Sequence, residues 1–317
     1  MENYNLKKGI IYASICIFTI GLQPVITIAR PSVIDPYLFG AITALFEAIL
    51  LLPIFLLENN KLKRSLKGDP LLDKKTLSLI HGWKKKSNIR TIAIIGLTFS
   101  VVPIMLYIGY DLAGGILSSL TMKSEIIFAL IFGYLFLREK INKIQILFCF
   151  VLFFGLVIAI TGGSFNLLEF NLGVFILLVS TALFTLVHTL TKISFERNEL
   201  YPSQVVFIRN VLSGIILSIF YISFFPLSNL LLLFDPLNFA FFIIMSVDYG
   251  LSLYLWYKAL TYIEIGKTTI IMSLTPIVSS VFSSLILGEV FTPFHLIGII
   301  IVIFSIIMIV KGKKSNL

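Results

Sequence analysis

Apolar residues fill this chain in runs of about twenty, parted by short polar joints, and that alternation is the pattern of membrane-crossing helices. A span needs about 20 mostly apolar residues to cross a hydrocarbon core of about 30 Å. Ten stretches qualify: Gly9 to Ala29, Pro36 to Leu57, Ile89 to Tyr110, Ala113 to Leu137, Ile141 to Thr161, Leu172 to Ile193, Pro202 to Phe225, Pro236 to Tyr257, Ile265 to Leu287 and Phe291 to Val310. In hydrocarbon a helix satisfies its own backbone, so the pattern predicts an all-α membrane protein with ten transmembrane helices. The first run is too long for the apolar core of a cleavable signal peptide and lacks a small-residue cleavage site, so it is expected to stay as span one.

The pattern also repeats. At an offset of 150 residues, Tyr107, Met122, Ile127, Phe132, Leu135, Leu137, Glu139 and Phe154 meet identical residues at Tyr257, Met272, Ile277, Phe282, Leu285, Leu287, Glu289 and Phe304. Fainter matches lay Pro36 to Leu51 on Pro202 to Leu217, each span opening with Pro in its first turn, where no intrahelical donor is needed. Residues 1–161 and 170–311 therefore read as two repeats of five spans, with a tail at 312–317. An odd number of crossings turns the second repeat over in the membrane, giving two inverted five-helix repeats, an arrangement found among transporters.

Composition and charge sharpen this picture. With 58% apolar residues and a mean hydropathy of +1.01, the chain has too little polar surface to cover a soluble globule of its size. The net charge of +9 is a topology signal, because 22 of 25 Lys and Arg residues fall on the N-terminal segment, the even-numbered loops and the tail. Both termini are thus expected in the cytoplasm, the membrane being a prokaryotic plasma membrane. Those charges are scattered and accompany no recognition motif, so no nucleic-acid partner is expected. Cys16 and Cys149 lie within spans and carry no redox signal. The one long loop, Glu58 to Asn88, is basic; Leu72, Thr76, Ile80 and Trp83 recur at helical spacing, so it reads either as a solvated linker or as a short helix on the anionic leaflet.

Candidate chemistry lies where polarity is costly. A charge at a helix centre costs roughly 2.5–3.5 kcal/mol on insertion scales, so charged residues inside spans face a cavity or a partner. They are Glu47, Lys123, Glu125, Arg209 and Asp248, with His188 beside them. Lys123 and Glu125, two residues apart, stand about 200° apart around a regular helix and should not pair with each other. Each then needs a partner on another span, or a substrate or proton in a water-filled cavity. Asp248 stands where the repeat has Thr98, beside Gly250, which permits close approach or a local break. Pairing with Lys123 would explain it as well as a site role. Three carboxylates face two cations, and an acid left over in low dielectric takes up a proton, which points to proton coupling. His188 could relay protons or be a satisfied interior residue.

In sequence the chain resembles the drug/metabolite transporter superfamily, in particular the group built from two EamA-type domains. Thr275-Pro276-Ile277, then Leu287-Gly288-Glu289, Thr292 and Gly298 are similar to the family's span-nine-to-ten pattern; Leu137-Arg138-Glu139-Lys140 and Gly155 repeat it in the first half. Glu125-Ile126 departs from it, with Ile in place of the usual Pro. Arg209 looks like the basic residue that members carry in span seven, with Thr43 at the matching place in span two, and is expected to be structural, snorkelling to the nearby cytoplasmic end. Glu47 is expected to be structural or near lipid, while Glu139 and Glu289 look like loop or helix-cap residues.

The resemblance implies a cavity lined by spans one, three, four, six, eight and nine, which carry Lys123, Glu125, His188 and Asp248. It implies a secondary transporter, an exporter of amino acids or related metabolites, working by rocking of the two halves about a midplane site. Substrate or proton contacts are then expected at Lys123, Glu125, Asp248, His188, Gln23 and Thr275, and flexibility at Gly114, Gly115 and Pro276. An exchanger of phosphorylated or nucleotide sugars is the alternative, with Lys123 gripping phosphate; a non-transporting scaffold is another. No HExxH, metal-spaced aspartate pair or glycine-framed serine occurs, so an enzyme is not expected, nor a cofactor or metal. The expected partners are a small solute, protons and membrane lipids, and a homodimer is compatible with all of this.

Overall fold

The computed structural model describes residues 2–65, 70–138, 140–165, 171–262 and 265–314. The helices are α1 (Glu2–Ala29), α2 (Pro36–Ser65), α3 (Pro70–His81), α4 (Lys86–Phe99), α5 (Val102–Ala113), α6 (Gly115–Thr121), α7 (Glu125–Leu137), α8 (Lys143–Thr161), α9 (Leu172–Glu196), α10 (Pro202–Phe224), α11 (Pro236–Tyr262), α12 (Ile265–Met272), α13 (Thr275–Phe282) and α14 (Pro293–Lys314). Among the described residues ten segments are long and apolar enough to cross a membrane, and they follow the ten stretches read from the sequence. Span three is α4 with α5, span four α6 with α7, and span nine α12 with α13.

The interruption of span three has a local cause. Pro103 has no amide to give Phe99, so span three breaks at Ser100–Val101 and resumes with the proline in its first turn. The repeat-related Leu253 keeps its donor, and α11 runs unbroken through Asp248 and Gly250. The polar loop contains a helix: α3 buries Thr76 and Ile80 one turn apart, and a short 3₁₀ turn, Gly82–Lys84, carries Trp83.

The chain divides into two compact units, each drawing on both halves of the sequence. The first comprises Met1–Arg30, Met105–Thr185 and Leu251–Leu317. Its core joins α6, α7, α8 and α14 through Ile116, Leu120, Ile126, Leu152, Val302 and Ile306. Helices α8 and α14 approach at backbone contact: a Cβ on Gly298 would stand 2.7 Å from Ala159 Cβ and 2.9 Å from the Gly155 carbonyl. Their starts are capped alike across the repeat. Asn142 Oδ1 accepts from the Gln145 amide at 2.8 Å while Gln145 Oε1 accepts from the Asn142 amide at 3.0 Å. At α14 the same reciprocal pair is Thr292 and His295, at 3.3 and 3.2 Å. Arg30 adds a two-pronged pair to Asp111, at 2.9 and 2.6 Å.

The second unit comprises Pro31–Ile104 and Leu186–Gly250. Here α2 and α10 pack lengthwise, a Cβ on Gly214 falling 2.8 Å from Leu45 Cδ2. Asp35 caps α2 by accepting from the Tyr37 and Leu38 amides, both at 2.9 Å, and takes the Tyr221 hydroxyl at 2.9 Å. Outside the spans, Glu199 accepts from Lys85 Nζ at 2.6 Å and Asn88 Nδ2 at 2.9 Å, and Asn88 in turn accepts from Ser194 at 2.9 Å. The Lys85 ammonium, with Asn88 assisting against the effect of burial, holds the Glu199 carboxyl below its ordinary value near 4.5.

Two predictions follow from this packing. Gly298→Val has no room between α8 and α14, and overpacking should cost about 1–3 kcal/mol, seen as a lower thermal-unfolding midpoint in detergent; Gly250→Ala, whose Cβ would meet nothing nearer than 3.5 Å, should cost less. Because the folded carboxyl of Glu199 ionises more readily than the unfolded one, its tie to Lys85 is complete above pH 4.5 and fades as pH falls through the depressed folded value. Amide-exchange protection around Asn88 should therefore hold from pH 8 to about 5 and drop below that, a drop absent in Glu199→Gln.

Candidate functional site

Two spans are interrupted at repeat-related positions, and both belong to the first unit. In span four α6 ends at Thr121, a 3₁₀ turn occupies Met122–Ser124, and α7 starts at Glu125. In span nine α12 ends at Met272 and α13 starts at Thr275, with a turn at Ser273–Leu274 between them. Pro276 sits in the first turn of α13, where its missing donor breaks nothing further. The matching residue Ile126 lies just inside α7, so the break in span four persists without the proline.

A helix start leaves free amides that need acceptors. Glu289 supplies them at the start of span four: its Oε1 accepts from the Gly115 amide at 2.6 Å and its Oε2 from the Ile116 amide at 3.0 Å. A carboxylate at a helix N-terminus also meets the positive end of the helix dipole. Gly114, at φ +80°, lets the chain enter beneath that carboxylate, and the Ser279 hydroxyl donates to the Gly115 carbonyl at 3.2 Å. Gly114 and Gly115 are thereby held in this conformation. At the far end of each broken span the chain leaves the helix left-handed, at Arg138 (φ 57°) and at Gly288 (φ 70°). Glu139, the repeat partner of Glu289, lies outside the described residues.

The break carries charge. Lys123 is 5% exposed, yet its Nζ lies 3.7 Å from Glu125 Oε1, whose side chain is 34% exposed. The regular-helix geometry that sets the two apart does not apply, because the 3₁₀ turn advances about 120° per residue instead of 100° and leaves them closer around the axis. At 3.7 Å they form an ion pair and stop short of a hydrogen bond. Helix α1 packs on α6, α12 and α13, with Gly21 against Val278, and presents Gln23, whose Nε2 donates to Ser252 Oγ at 3.0 Å. Thr275 and Ser273 turn their hydroxyls to their own backbone, on Met272 O at 2.6 Å and Ile270 O at 2.7 Å. Ser124, Ser280 and Ser283 are buried with hydroxyls that make no hydrogen bond. The arrangement offers one ammonium, one part-exposed carboxylate and several small hydroxyls.

The second unit holds a separate set of buried charges. Arg209 does not snorkel: it is 3% exposed, with its guanidinium 4.1 Å from the Phe99 ring centre and 5.7 Å from that of Tyr249. Its Nη2 stands 3.5 Å from Glu47 Oε2, and its Nε donates to Asn210 Oδ1 at 2.9 Å. Glu47, 4% exposed, thus faces the interior of its unit. Aromatic faces and a carboxylate hold the cation where it lies, which is why it does not run to the helix end. His188 meets Phe99 edge-on, ring centres 6.2 Å apart, and Asp248 is buried on α11 beside Tyr249. Phe99 and Tyr249 were not legible as partners of Arg209, though an arginine inside a span is itself a signal to look for rings as well as acids. Among the described residues no cluster of three or more His, Cys, Asp or Glu side chains could hold a metal.

Ten apolar spans in two halves, with repeat-related helices broken at matching positions, are the architecture of an inverted-repeat transporter. The chain belongs to the EamA-like transporter family, whose sequence profile matches residues 7–161 and again 171–311. It is accordingly an integral membrane protein of the drug/metabolite transporter superfamily. A solved crystal structure is similar to it over 96% of each chain, with a TM-score of 0.60 at 12% identity, a likeness of fold alone. No curated protein matches the chain.

The Arg209–Glu47 contact predicts strong coupling. Arg209→Met or Glu47→Leu alone strands a buried charge and should cost about 3–5 kcal/mol. The double variant should cost less than either, as measured by thermal unfolding in detergent; additive losses would mean that the two do not act as a pair.

Proposed function

We propose that this protein carries a small zwitterionic metabolite of the amino-acid class across the plasma membrane by alternating access, with its binding site at the break in span four. The observation that supports this most is the Lys123–Glu125 pair, an ammonium and a part-exposed carboxylate 3.7 Å apart at a helix discontinuity. A zwitterion brings the complementary charges, so its carboxylate can take Lys123 while its ammonium takes Glu125, each exchange replacing a long contact with a hydrogen-bonded one. Broken helices at related places in both repeats are where such carriers bind substrate. A charged side chain left part-exposed at a span's centre is tolerable only against water, which supports a hydrated cavity on that face.

Proton coupling follows in this reading from Glu125, which in the absence of substrate can trade its place beside Lys123 for a proton. The basic residues, 22 of 25 on one set of segments, support an orientation with both termini in the cytoplasm. The test is counterflow of pooled amino acids in proteoliposomes under imposed pH gradients. The native protein should exchange with a dependence on the gradient that Glu125→Gln lacks. Lys123→Met should weaken the apparent affinity roughly tenfold to a hundredfold. Exchange untouched by either change would make the pair structural. Failure to exchange any amino acid would remove the substrate class and bring phosphorylated and nucleotide sugars forward.

A further inference from the structure

A cavity of about 870 Å³ lies within the second unit. Three helices form its walls. Helix α10 lines it with one residue per turn, Gln204, Ile208, Leu212 and Ile216, and α2 does the same with Phe55, Asn59 and Lys63. Ile89, Ala93 and Leu97 of α4 complete the trough. The twelve residue steps from Gln204 to Ile216 span about 18 Å, close to the depth of one leaflet of a hydrocarbon core of about 30 Å. The loop after α2 closes one end with Ile80, Trp83 and Lys84, the ammonium of Lys84 standing 5.5 Å from the Trp83 ring centre.

The two ends differ in chemistry. One is aliphatic throughout. The other carries Lys63, Lys84 and His81, and among the described residues no carboxylate lines the cavity. Nearby acids are engaged elsewhere: Glu58 accepts from Ser203 at 2.7 Å and Glu199 from Lys85 at 2.6 Å. At this basic end Gln204 is 2% exposed, and its Oε1 has no hydrogen-bond partner. A buried amide oxygen left alone is costly, and it calls for a donor. An aromatic residue beside lysines is the composition of a membrane interface.

We infer that this trough is a binding site for one anionic phospholipid, one of its two acyl chains along α10, its phosphate between Lys63 and Lys84, and a headgroup hydroxyl donating to Gln204 Oε1. A neutral lipid would leave the lysines without a counter-charge, and a phosphate without a chain would leave the aliphatic end empty. Phosphatidylglycerol supplies all three elements.

The test is native mass spectrometry of the full-length protein released from nanodiscs of mixed phosphatidylcholine and phosphatidylglycerol. The native chain should retain one phosphatidylglycerol in preference to phosphatidylcholine. Enrichment should fall roughly fivefold for each lysine removed in Lys63→Gln and Lys84→Gln, while Lys143→Gln, a basic residue at the start of α8 in the first unit, should leave it unchanged. Ala93→Trp should expel the lipid by filling the trough. In nanodiscs that also contain phosphatidic acid, which lacks the headgroup glycerol, the native chain should prefer phosphatidylglycerol, and Gln204→Leu should erase that preference. Equal retention of the two lipids by the native chain, enrichment that survives Lys63→Gln/Lys84→Gln, or displacement by free glycerol phosphate would each overturn the assignment.

Discussion

Hydrocarbon offers a broken helix no water, so every backbone group released inside a span must find a partner within the protein. The rest of this structure depends on that constraint. Span four can start afresh at Gly115 because Glu289 reaches its first two free amides, at 2.6 and 3.0 Å. Span three can break because Pro103 removes the donor that would have continued it, and Ser100 turns its hydroxyl to the Leu97 carbonyl at 2.6 Å. A carboxylate in these surroundings is tolerable because it has amides to accept from.

The repeat shows which features the constraint holds in place and which it leaves free. Reciprocal caps open α8 and α14 with different residues, Asn142 with Gln145 and Thr292 with His295. The left-handed ends recur at Arg138 and Gly288. Both therefore follow backbone demands that any suitable side chain can meet. Chemistry is not repeated: Lys123 stands where Ser273 does, Glu125 where Thr275 does, and Asp248 where Thr98 does. The scaffold is built twice and this charge set once.

Two ion pairs within the spans place the same chemistry in opposite surroundings. Arg209 and Glu47, at 3% and 4% exposure, are enclosed by Phe99, Tyr249 and Asn210. Opening that pair would strand both charges, so it behaves as a lock within its unit. Lys123 and Glu125 meet at 3.7 Å on an irregular turn, with the carboxylate one-third exposed. Separating them strands only the lysine, since the carboxylate can reach water. The contrast lies in what surrounds the charges, since an arginine shared between rings and an acid has no competing partner while a lysine beside an accessible carboxylate does.

The ten spans, the duplication and the family pattern were legible in the sequence because they rest on composition, length and periodicity, which a chain carries in one dimension. The short helix in the basic loop was half legible, since Thr76 and Ile80 keep helical spacing that a linker could share by chance. The direct Lys123–Glu125 contact was not legible: it depends on a 3₁₀ turn that no proline announces, and a regular helix sets the two residues apart. Nor was the enclosure of Arg209, since Phe99 and Tyr249 lie 110 and 40 residues from it in the chain. By itself the sequence determined that this protein is a membrane helix bundle built twice, because burying apolar runs and satisfying backbone leave hardly another choice. Only the tertiary structure decided which charges meet, because distances between side chains on different helices are set by packing, and packing has no period along the chain.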